Sequence, residues 1–581
     1  MKHATTRRNC FDWKFFLCCG IFVWFVINLL QGIFTEIQED EAYYALYGEH
    51  LAWGYFDHPP MVGLMTFLGS LCFSGNMGVR CCTLLASCLS LWVLWRLSHP
   101  TKGTLGTPVG ANVALFLIIA CSVTLLNIYG FVTTPDVPLF LFSALVLWVY
   151  QEYLQRKTWG RALLMGVLIA CMVYSKYHAL LFLFLIVLSN WSLLKDGKFY
   201  AACLLALLLL TPHLLWQVET DFPSIRYHLV QRNEPFRWSY VLEYLPNQLL
   251  LFNPFTFGAM VYVLIKHRAD DLFERGLRFV AIGFFVFFWL MTLRGHVEPH
   301  WTFLCCIPVV VLLYRKSLSD RKLKRYIQYA VLSSLLLVVA MRVLLLTPLA
   351  DPYGFHGKER QYQAIGKVAG DCPVVFQGSF QQPALYHFFT GKESSSLRSY
   401  YDRKTQFDLW QFDLDWQGRR VFVLSEYSPL NQSFQQDGVS FDGFFADRFQ
   451  SANRLVADWT ITEAGEDPPV FEYGDTIEMD FSIYNPYGLP IDFQHESLKM
   501  NLVLMVLDAN KYLYPFYDPI ATILPQDTYR GHLKAVVNES IPQGKNRVAL
   551  GIGDRIAIFT NLEHASEVII KSPKSDRNSS Y

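Results

Sequence analysis

Charged residues are scarce in this sequence of 581 residues: they make up 17% of it, against 52% for hydrophobic residues. Soluble globular proteins carry about 25% charged residues, so the deficit argues against a chain that is soluble over its whole length. The 49 basic residues are balanced by 49 acidic ones. Because the chain lacks an excess of positive charge, we predict no nucleic-acid partner.

Cysteine is almost missing from the C-terminal part of the chain. Only Cys372 follows residue 310, whereas the other twelve of the 13 cysteines precede it, mostly in apolar runs. A disulfide within the C-terminal part is therefore excluded. Adjacent pairs such as Cys81-Cys82 lack the spacing of a zinc site, and we interpret them as small apolar side chains in helices.

Long apolar runs dominate the first 350 residues. A helix needs about 20 apolar residues to cross a bilayer, and the uncharged run 15–34 is the first of this kind, which we interpret as an uncleaved anchor. The sequence predicts a polytopic α-helical membrane protein with eleven or more spans. The later runs lie at about 78–97, 111–129, 137–154, 161–174, 178–194, 199–217, 248–266, 276–294, 300–314 and 326–347.

Basic residues alternate between the loops that join these runs. The loop 35–79 contains neither Lys nor Arg, whereas the short stretch from Arg315 to Arg325 holds six of them. Cytoplasmic loops are enriched in Lys and Arg, so the N-terminus is predicted inside. An odd number of crossings then leaves the C-terminal part outside.

The region after residue 350 has no run long enough to span a bilayer. Short apolar segments at 373–376 and 421–424, with a helical stretch near 383–389, predict an α/β region over 351–450. Alternating segments at 476–484, 498–506 and 547–552 predict a β-sandwich over 451–581. We therefore expect three domains, with the membrane domain over 1–350.

Unusual polar residues gather in the loops that are predicted to face outward. The first of these loops contains Glu39-Asp40-Glu41 and then Asp57-His58-Pro59-Pro60. Burial at a lipid–water boundary raises the pKa of a carboxyl group toward neutrality, which suits a general base. The alternative is a solvated acidic loop.

Four motifs in chain order resemble those of the GT-C membrane glycosyltransferases. The closest resemblance is to the branch that holds dolichyl-phosphate-mannose protein mannosyltransferases and bacterial lipid A aminoarabinose transferases, and it covers roughly residues 15–350. The bacterial members suggest an inner-membrane location with a periplasmic active site and C-terminal region. The motifs are Asp40-Glu41 with Tyr55-Phe56-Asp57-His58-Pro59-Pro60, Thr134-Pro135-Asp136-Val137-Pro138, Ser175-Lys176-Tyr177, and His296-Val297-Glu298-Pro299-His300-Trp301.

The resemblance implies a glycosyltransferase that moves a hexosyl or pentosyl group from a polyprenyl-phosphate donor. The acceptor is a lipid, glycan or protein hydroxyl, and the anomeric centre is inverted. Asp40 would be the catalytic base, with Glu41 as its support or as a second choice of base. Asp136 would position sugar or acceptor hydroxyls, although an acid at this place also suits a simple helix start.

The leaving phosphate would need positive charge or hydrogen-bond donors. Lys176 is the first candidate, and a lysine that merely extends to the membrane surface is the alternative. His58 is the second candidate; relatives often have Lys there, and a histidine is only partly charged near neutral pH. The remaining predicted substrate-binding residues are Tyr44, Asp57, Arg80, Tyr177, Arg294, Glu298 and His300.

No cofactor is certain, but three alternating residues are candidate ligands for a divalent metal ion. In an extended segment His296, Glu298 and His300 point to one side, and two imidazoles with a carboxylate can bind such an ion. Without a metal, Glu298 and His300 would hydrogen-bond sugar or phosphate.

Two other classes of protein compete with the enzyme. A secondary transporter of a lipid or an anionic solute also carries intramembrane charges and broken helices, but this sequence shows no pair of similar halves. A non-catalytic membrane scaffold that presents the C-terminal region to a partner would leave the acidic cluster unexplained.

Overall fold

The computed structural model of the chain describes residues 4–99, 113–227, 236–398, 403–425, 428–462, 468–495, 499–507, 511–553, 558–560 and 565–572. The chain forms two compact units, Met1–Lys358 and Glu359–Tyr581. The division lies beside the boundary predicted at residue 350. The further division at residue 450 remains a prediction.

The first unit is built from α-helices. Shorter helical turns join some of them: 3-10 helices at Trp191–Lys195, Pro299–Cys305 and Pro348–Tyr353, and a π-helical turn at Ile327–Val331. The α-helices are α1 (Ala4–Phe34), α2 (Glu39–Glu49), α3 (Met61–Ser70), α4 (Gly75–Ser98), α5 (Val113–Ser122), α6 (Thr124–Ile128), α7 (Asp136–Gln155), α8 (Trp159–Ser175), α9 (His178–Ser189), α10 (Gly197–Glu219), α11 (Pro223–Arg226), α12 (Trp238–Phe252), α13 (Pro254–Lys266), α14 (Leu272–Met291), α15 (Cys306–Ser317), α16 (Arg321–Tyr326) and α17 (Leu332–Leu345).

Fewer helices can cross a membrane than the eleven predicted. Within the described ranges five helical stretches are long and apolar enough, and a bent pair raises the number to six. The prediction counted apolar runs, but a run becomes a span only if its helix continues without a break. The five stretches are Trp13–Phe34, Gly75–Ser98, Asp136–Gln155, Gly197–Glu219 and Arg321–Leu345.

Breaks in the backbone explain part of the difference. The run predicted at 248–266 forms α12 and α13, which meet at an angle of 102°. Asn253 at the bend has a φ of 64°, and Pro254 has no N–H with which to continue the hydrogen bonds of α12. Other apolar runs form helices of 10–17 residues, such as α8 and α9.

The core of the first unit surrounds α15. All residues of this helix except Arg315 are buried, as expected for a helix that is apolar on every side. At its end Lys316 donates to Glu274 at 2.7 Å, so a buried charge is paired where the apolar stretch stops. The helical scaffold holds the polar loops between α1 and α4, between α6 and α7, and between α8 and α9.

The second unit begins with a mixed sheet and four helices. Five strands lie in the order β2-β1-β3-β5-β4, with β1 parallel to β2 and β3. The strands are β1 (Val374–Gln377), β2 (Ser394–Leu397), β3 (Val421–Leu424), β4 (Gln432–Gln436) and β5 (Val439–Ala446). The helices are α18 (Lys358–Ala369), α19 (Gln381–Thr390), α20 (Gln406–Trp410) and α21 (Phe412–Trp416).

A strand-rich region follows, as the sequence predicts. One sheet has the order β11-β10-β15-β17-β7 with β16 paired to β15, a second has the order β12-β14-β8-β6, and β9 pairs with β13. Buried residues of both larger sheets and of the mixed sheet belong to one apolar core. The strands are β6 (Val456–Ile461), β7 (Val470–Glu472), β8 (Thr476–Tyr484), β9 (Ile491–Asp492), β10 (Asn501–Val506), β11 (Lys511–Leu513), β12 (Phe516–Tyr517), β13 (Thr522–Ile523), β14 (Thr528–Val536), β15 (Gly544–Gly553), β16 (Ile558–Thr560) and β17 (Ser566–Lys571).

Candidate active site

The three consecutive acids at the start of α2 have three different environments. Acidic residues favour the first turn of a helix because they complement its dipole. Glu39 is half-exposed and pairs with Lys358 at 2.8 Å. Asp40 is exposed, whereas Glu41 is fully buried. Of these three carboxylates, that of Asp40 is therefore the one most open to a substrate.

Glu41 forms a buried ion pair with Arg80 of α4. The Nε atom of Arg80 donates to Oε1 of Glu41 at 2.8 Å, and both side chains are 0% exposed. The backbone N–H groups of Gln38 and Thr133 also donate to this carboxylate, at 3.0 and 2.8 Å. Glu41 thus joins the start of α2, helix α4 and the loop before Asp136.

The guanidinium of Arg80 is fully engaged by protein groups. Besides Glu41, it donates to the carbonyl oxygens of Gly32, Thr35 and Glu36 at 2.9 to 3.0 Å. Arg80 was predicted to contact the phosphate of a substrate. In this structure its nitrogens donate to Glu41 and to carbonyl oxygens at the end of α1 and in the loop that follows it, which gives it a positioning geometry.

Asp136 and Lys176 form a second buried pair. Asp136 is the first residue of α7, where a carboxylate is favoured by the helix N-terminus, and Lys176 directly follows α8. Nζ of Lys176 lies 2.7 Å from Oδ2 of Asp136. Nε2 of His300 lies 3.9 Å from the same oxygen. Residues of three predicted motifs therefore meet at the carboxylate of Asp136.

Two tyrosine phenols lie within electrostatic range of both Asp40 and Asp136. They belong to Tyr44 of α2 and to Tyr129, which follows α6. Burial raises the pKa of Tyr44 well above its ordinary value, and the negative charges of Asp40, Asp57 and Asp136 raise it further. The Tyr44 phenol consequently remains protonated and can donate a hydrogen bond to a substrate oxygen.

The Asp57-His58 segment lies against the same helix. Oη of Tyr44 is 3.2 Å from Nε2 of His58, and Oη of Tyr43 donates to Asp57 at 3.4 Å. Asp57 is buried and His58 is half-buried. Stacking of Tyr55 on Tyr47, with ring centroids 3.8 Å apart, helps to hold this loop against α2.

Tyr177 belongs to a polar network behind Lys176. Its hydroxyl accepts a hydrogen bond from Nε2 of Gln217 at 2.8 Å and lies 3.1 Å from Nε2 of His213. Nδ1 of His213 is 2.6 Å from the carbonyl oxygen of Trp53. The network thus joins the Ser-Lys-Tyr element to α10 and to the first polar loop.

The late motif does not form the predicted one-sided extended segment. The chain enters a 3-10 helix at Pro299, so His300 lies in a helical turn whereas His296 and Glu298 precede it. His296 pairs with Glu298 at 3.7 Å, and His300 instead turns toward Asp136. In the part of the chain that the structure describes, no group of three His, Cys, Asp or Glu residues has a metal-binding arrangement.

The remaining predicted residue is Arg294, which is exposed beyond the end of α14. Its backbone N–H closes the turn by donating to Met291 at 2.9 Å. Glu298 lies nearer the cluster, within electrostatic range of Tyr129.

Tyr129 itself was missed by the sequence interpretation. It lies within electrostatic range of Asp40, Asp136 and Glu298, and its ring centroid is 6.2 Å from that of His300. Its only sequence signal is its position seven residues before Asp136. An aromatic residue at the end of an apolar run is more often a membrane-interface residue, so the sequence offered no reason to place Tyr129 among the predicted site residues.

The chain is similar to known membrane glycosyltransferases. The family model of dolichyl-phosphate-mannose-protein mannosyltransferases matches residues 57–216. The lipid A galacturonosyltransferase RgtD of Rhizobium johnstonii is 27% identical over 270 residues, which are 43% of this chain and 54% of that protein. The match thus spans about half the length of the curated relative.

Two solved structures share the fold. ArnT from Cupriavidus metallidurans in the apo state has a TM-score of 0.55 and 13% identity, and covers 75% of this chain and 98% of its own. ArnT bound to undecaprenyl phosphate has the same score and identity, with 74% and 98% covered. Together with the four motifs, these similarities support the placement of this integral membrane protein among the GT-C glycosyltransferases, as its sequence predicts.

Proposed function

We propose that the protein transfers a sugar from a polyprenyl-phosphate donor to an acceptor hydroxyl, with Asp40 as the base. The observation that carries this proposal is the shared position of Asp40 and Asp136 beside Tyr44 and Tyr129. An exposed carboxylate next to a buried carboxylate–lysine pair supplies both a proton acceptor and a cation.

The reaction would form one bond and break one bond at the anomeric carbon. The acceptor oxygen attacks that carbon while its proton passes to Asp40, and the bond between the carbon and the phosphate oxygen breaks. Lys176 and His58 stabilise the phosphate that leaves on the lipid. Attack opposite to the leaving group inverts the anomeric centre, and Asp136 holds substrate hydroxyls in position.

The comparisons favour the donor class and suggest an acceptor to try first. The solved ArnT fold was captured with undecaprenyl phosphate, and the curated relative acts on lipid A. A lipid-linked donor stays in the bilayer, which accounts for a membrane-embedded enzyme. We therefore propose a polyprenyl-phosphate sugar as donor, with a lipid, glycan or protein hydroxyl as acceptor and lipid A as the first candidate.

We also propose that the site faces the periplasm of a bacterial inner membrane. The basic cluster from Arg315 to Arg325 and the loop 35–79 without Lys or Arg support this orientation. In this arrangement the second unit, Glu359–Tyr581, is periplasmic as well.

The function can be tested with the purified full chain in lipid vesicles. We expect it to release undecaprenyl phosphate from a radiolabelled undecaprenyl-phosphate sugar when lipid A is present, and to label the lipid A. Labelling of a polysaccharide or a protein instead would change the acceptor but keep the reaction. Movement of the labelled lipid between leaflets without cleavage of the sugar–phosphate bond would contradict the proposal and favour a transporter.

Replacement of Lys176 by Gln is expected to lower kcat for lipid-phosphate release by about 100-fold, the effect of one lost electrostatic contact to a leaving oxyanion. The same substitution removes the ion-pair partner of Asp136 at 2.7 Å, so it should also lower the stability of the protein. The double variant Lys176→Gln with Asp136→Asn removes the unpaired charge, so it should recover thermal stability but not kcat. A Lys176→Gln enzyme with normal kcat would remove Lys176 from phosphate stabilisation.

A further inference from the structure

Residues 354–358, far along the chain, form hydrogen bonds with the loop that precedes the proposed base. The base loop, residues 36–39, lies immediately before Asp40. The junction segment, residues 354–358, follows the last helix of the first unit, and Glu359 begins the second unit directly after it. These two segments are more than 300 positions apart in the sequence. A hydrogen bond nevertheless joins Gln38 to Gly354, which are 316 positions apart.

Backbone and side-chain hydrogen bonds both join the two segments. The N–H of Glu36 donates to the carbonyl oxygen of Phe355 at 2.9 Å, and Nε2 of Gln38 donates to that of Gly354 at 3.1 Å. The N–H of Lys358 donates to the carboxylate of Glu36 at 2.7 Å. One backbone hydrogen bond and two hydrogen bonds through side chains therefore join the two segments.

Lys358 provides the charged part of this contact. Its Nζ atom lies 2.8 Å from Oε1 of Glu39 and 3.3 Å from the carbonyl oxygen of Ile37. The lysine side chain is only 10% exposed while that of Glu39 is 41% exposed, so burial of the lysine end leaves the pair less solvated than one between two exposed side chains. Gly354 makes this fit possible: it has a φ of 72°, and a Cβ there would lie 3.1 Å from Nζ of Lys358.

The opposite side of the base loop is held by Arg80. Its Nη2 atom donates to the carbonyl oxygen of Glu36 at 3.0 Å, and it pairs with Glu41. Residues on both sides of Asp40 are thus anchored, Glu39 to the junction segment and Glu41 to α4. Asp40 itself remains exposed between two fixed neighbours.

We infer that Lys358 and the junction segment position Asp40 for proton abstraction. Lys358 is then a positioning residue, because it acts on the reaction through Glu39 and the base loop. The inference rests on the proposed function. The junction segment thereby has a role in catalysis. A change in its position would displace the base loop, because four hydrogen bonds and an ion pair join the two.

Lys358→Met should lower kcat for lipid-phosphate release by about tenfold, since small displacements of a catalytic group cost one to two orders of magnitude. The KM for the lipid-linked sugar should stay within twofold, because the residues proposed for phosphate contact are unchanged. Lys358→Arg keeps the charge and should restore most of the activity. Lys367→Met is the control, because Lys367 of α18 also pairs with a carboxylate, that of Asp437 at 2.7 Å, at a more exposed site in the second unit, and it should retain full kcat.

Glu39→Gln removes the same ion pair from the other side and leaves the backbone contacts of Lys358 intact, so it is informative even if Lys358→Met folds poorly. We expect Glu39→Gln to lower kcat as well, and the double variant to be no worse than Lys358→Met. Normal kcat in both single variants, or a loss confined to KM, would overturn the inference. Failure of the wild-type chain to cleave the donor would overturn the proposed function instead.

Discussion

Replacement of Asp40 by Asn is expected to lower kcat for lipid-phosphate release by about 10³-fold, within the range attributed to a general base. An amide has nearly the shape of a carboxylate but cannot accept the acceptor's proton at neutral pH. The KM for the lipid-linked sugar should change little, because the base acts on the acceptor. The measurement is single-turnover release of undecaprenyl phosphate.

The size of this effect rests on the different environments of the three acids. Asp40 is exposed next to a buried cluster, whereas Glu39 and Glu41 are committed to Lys358 and Arg80. Because a surface substitution from carboxylate to amide changes stability little, the Asp40→Asn chain should unfold at the wild-type temperature.

Glu49→Gln is the matched control for this variant. Glu49 is the last residue of the same helix and is also exposed, so the substitution makes the same chemical change at the far end of α2. It should retain wild-type kcat. Equal turnover of Asp40→Asn and Glu49→Gln would remove Asp40 as the base, and loss of activity only in Glu41→Gln would transfer that role to Glu41.

Replacement of Arg80 by Leu should lower the free energy of unfolding by about 3–5 kcal/mol, the usual cost of removing one partner of a buried ion pair. Glu41 would be left charged and fully buried, and three carbonyl oxygens would lose their donor. Denaturant titration of the purified protein in detergent, followed by intrinsic tryptophan fluorescence, measures this loss.

A double-mutant cycle separates the ion pair from the other contacts of Arg80. The variant with both Arg80→Leu and Glu41→Leu no longer buries an uncompensated charge, so its loss of stability should be smaller than the sum of the two single losses. Arg161→Leu is a suitable comparison, since Arg161 pairs with Glu152 at 2.9 Å while about 30% exposed, and it should cost less than about 1 kcal/mol. Strict additivity of the Arg80 and Glu41 losses would contradict a paired role.

Local patterns were sufficient for much of the second unit. The strand predicted at 476–484 is β8 with the same bounds, and that predicted at 421–424 is β3. Alternation of apolar side chains and turn residues is a property of neighbouring residues, which is why these elements could be read directly. The helical stretch predicted near 383–389 likewise lies inside α19.

The helices of the membrane domain were predicted less well. Apolar composition identified where they lie, but it did not reveal where a helix bends or stops. The bend at Asn253, and the break at Val123 between α5 and α6, interrupt runs that hydropathy treats as continuous. Packing between helices satisfies the backbone groups exposed at such breaks, and this compensation is invisible in a linear sequence.

The sequence by itself determined the chemistry available to this protein: the acids, the lysine and histidines of four motifs, and the apolar runs that keep them in a membrane. Only the tertiary structure decided that Asp40 is exposed and that its neighbours pair with Arg80 and Lys358, because these cations lie 39 and 319 positions away from Glu41 and Glu39. An ion pair depends on distance in space and on exclusion of water. Neither quantity is encoded in the spacing of residues along the chain.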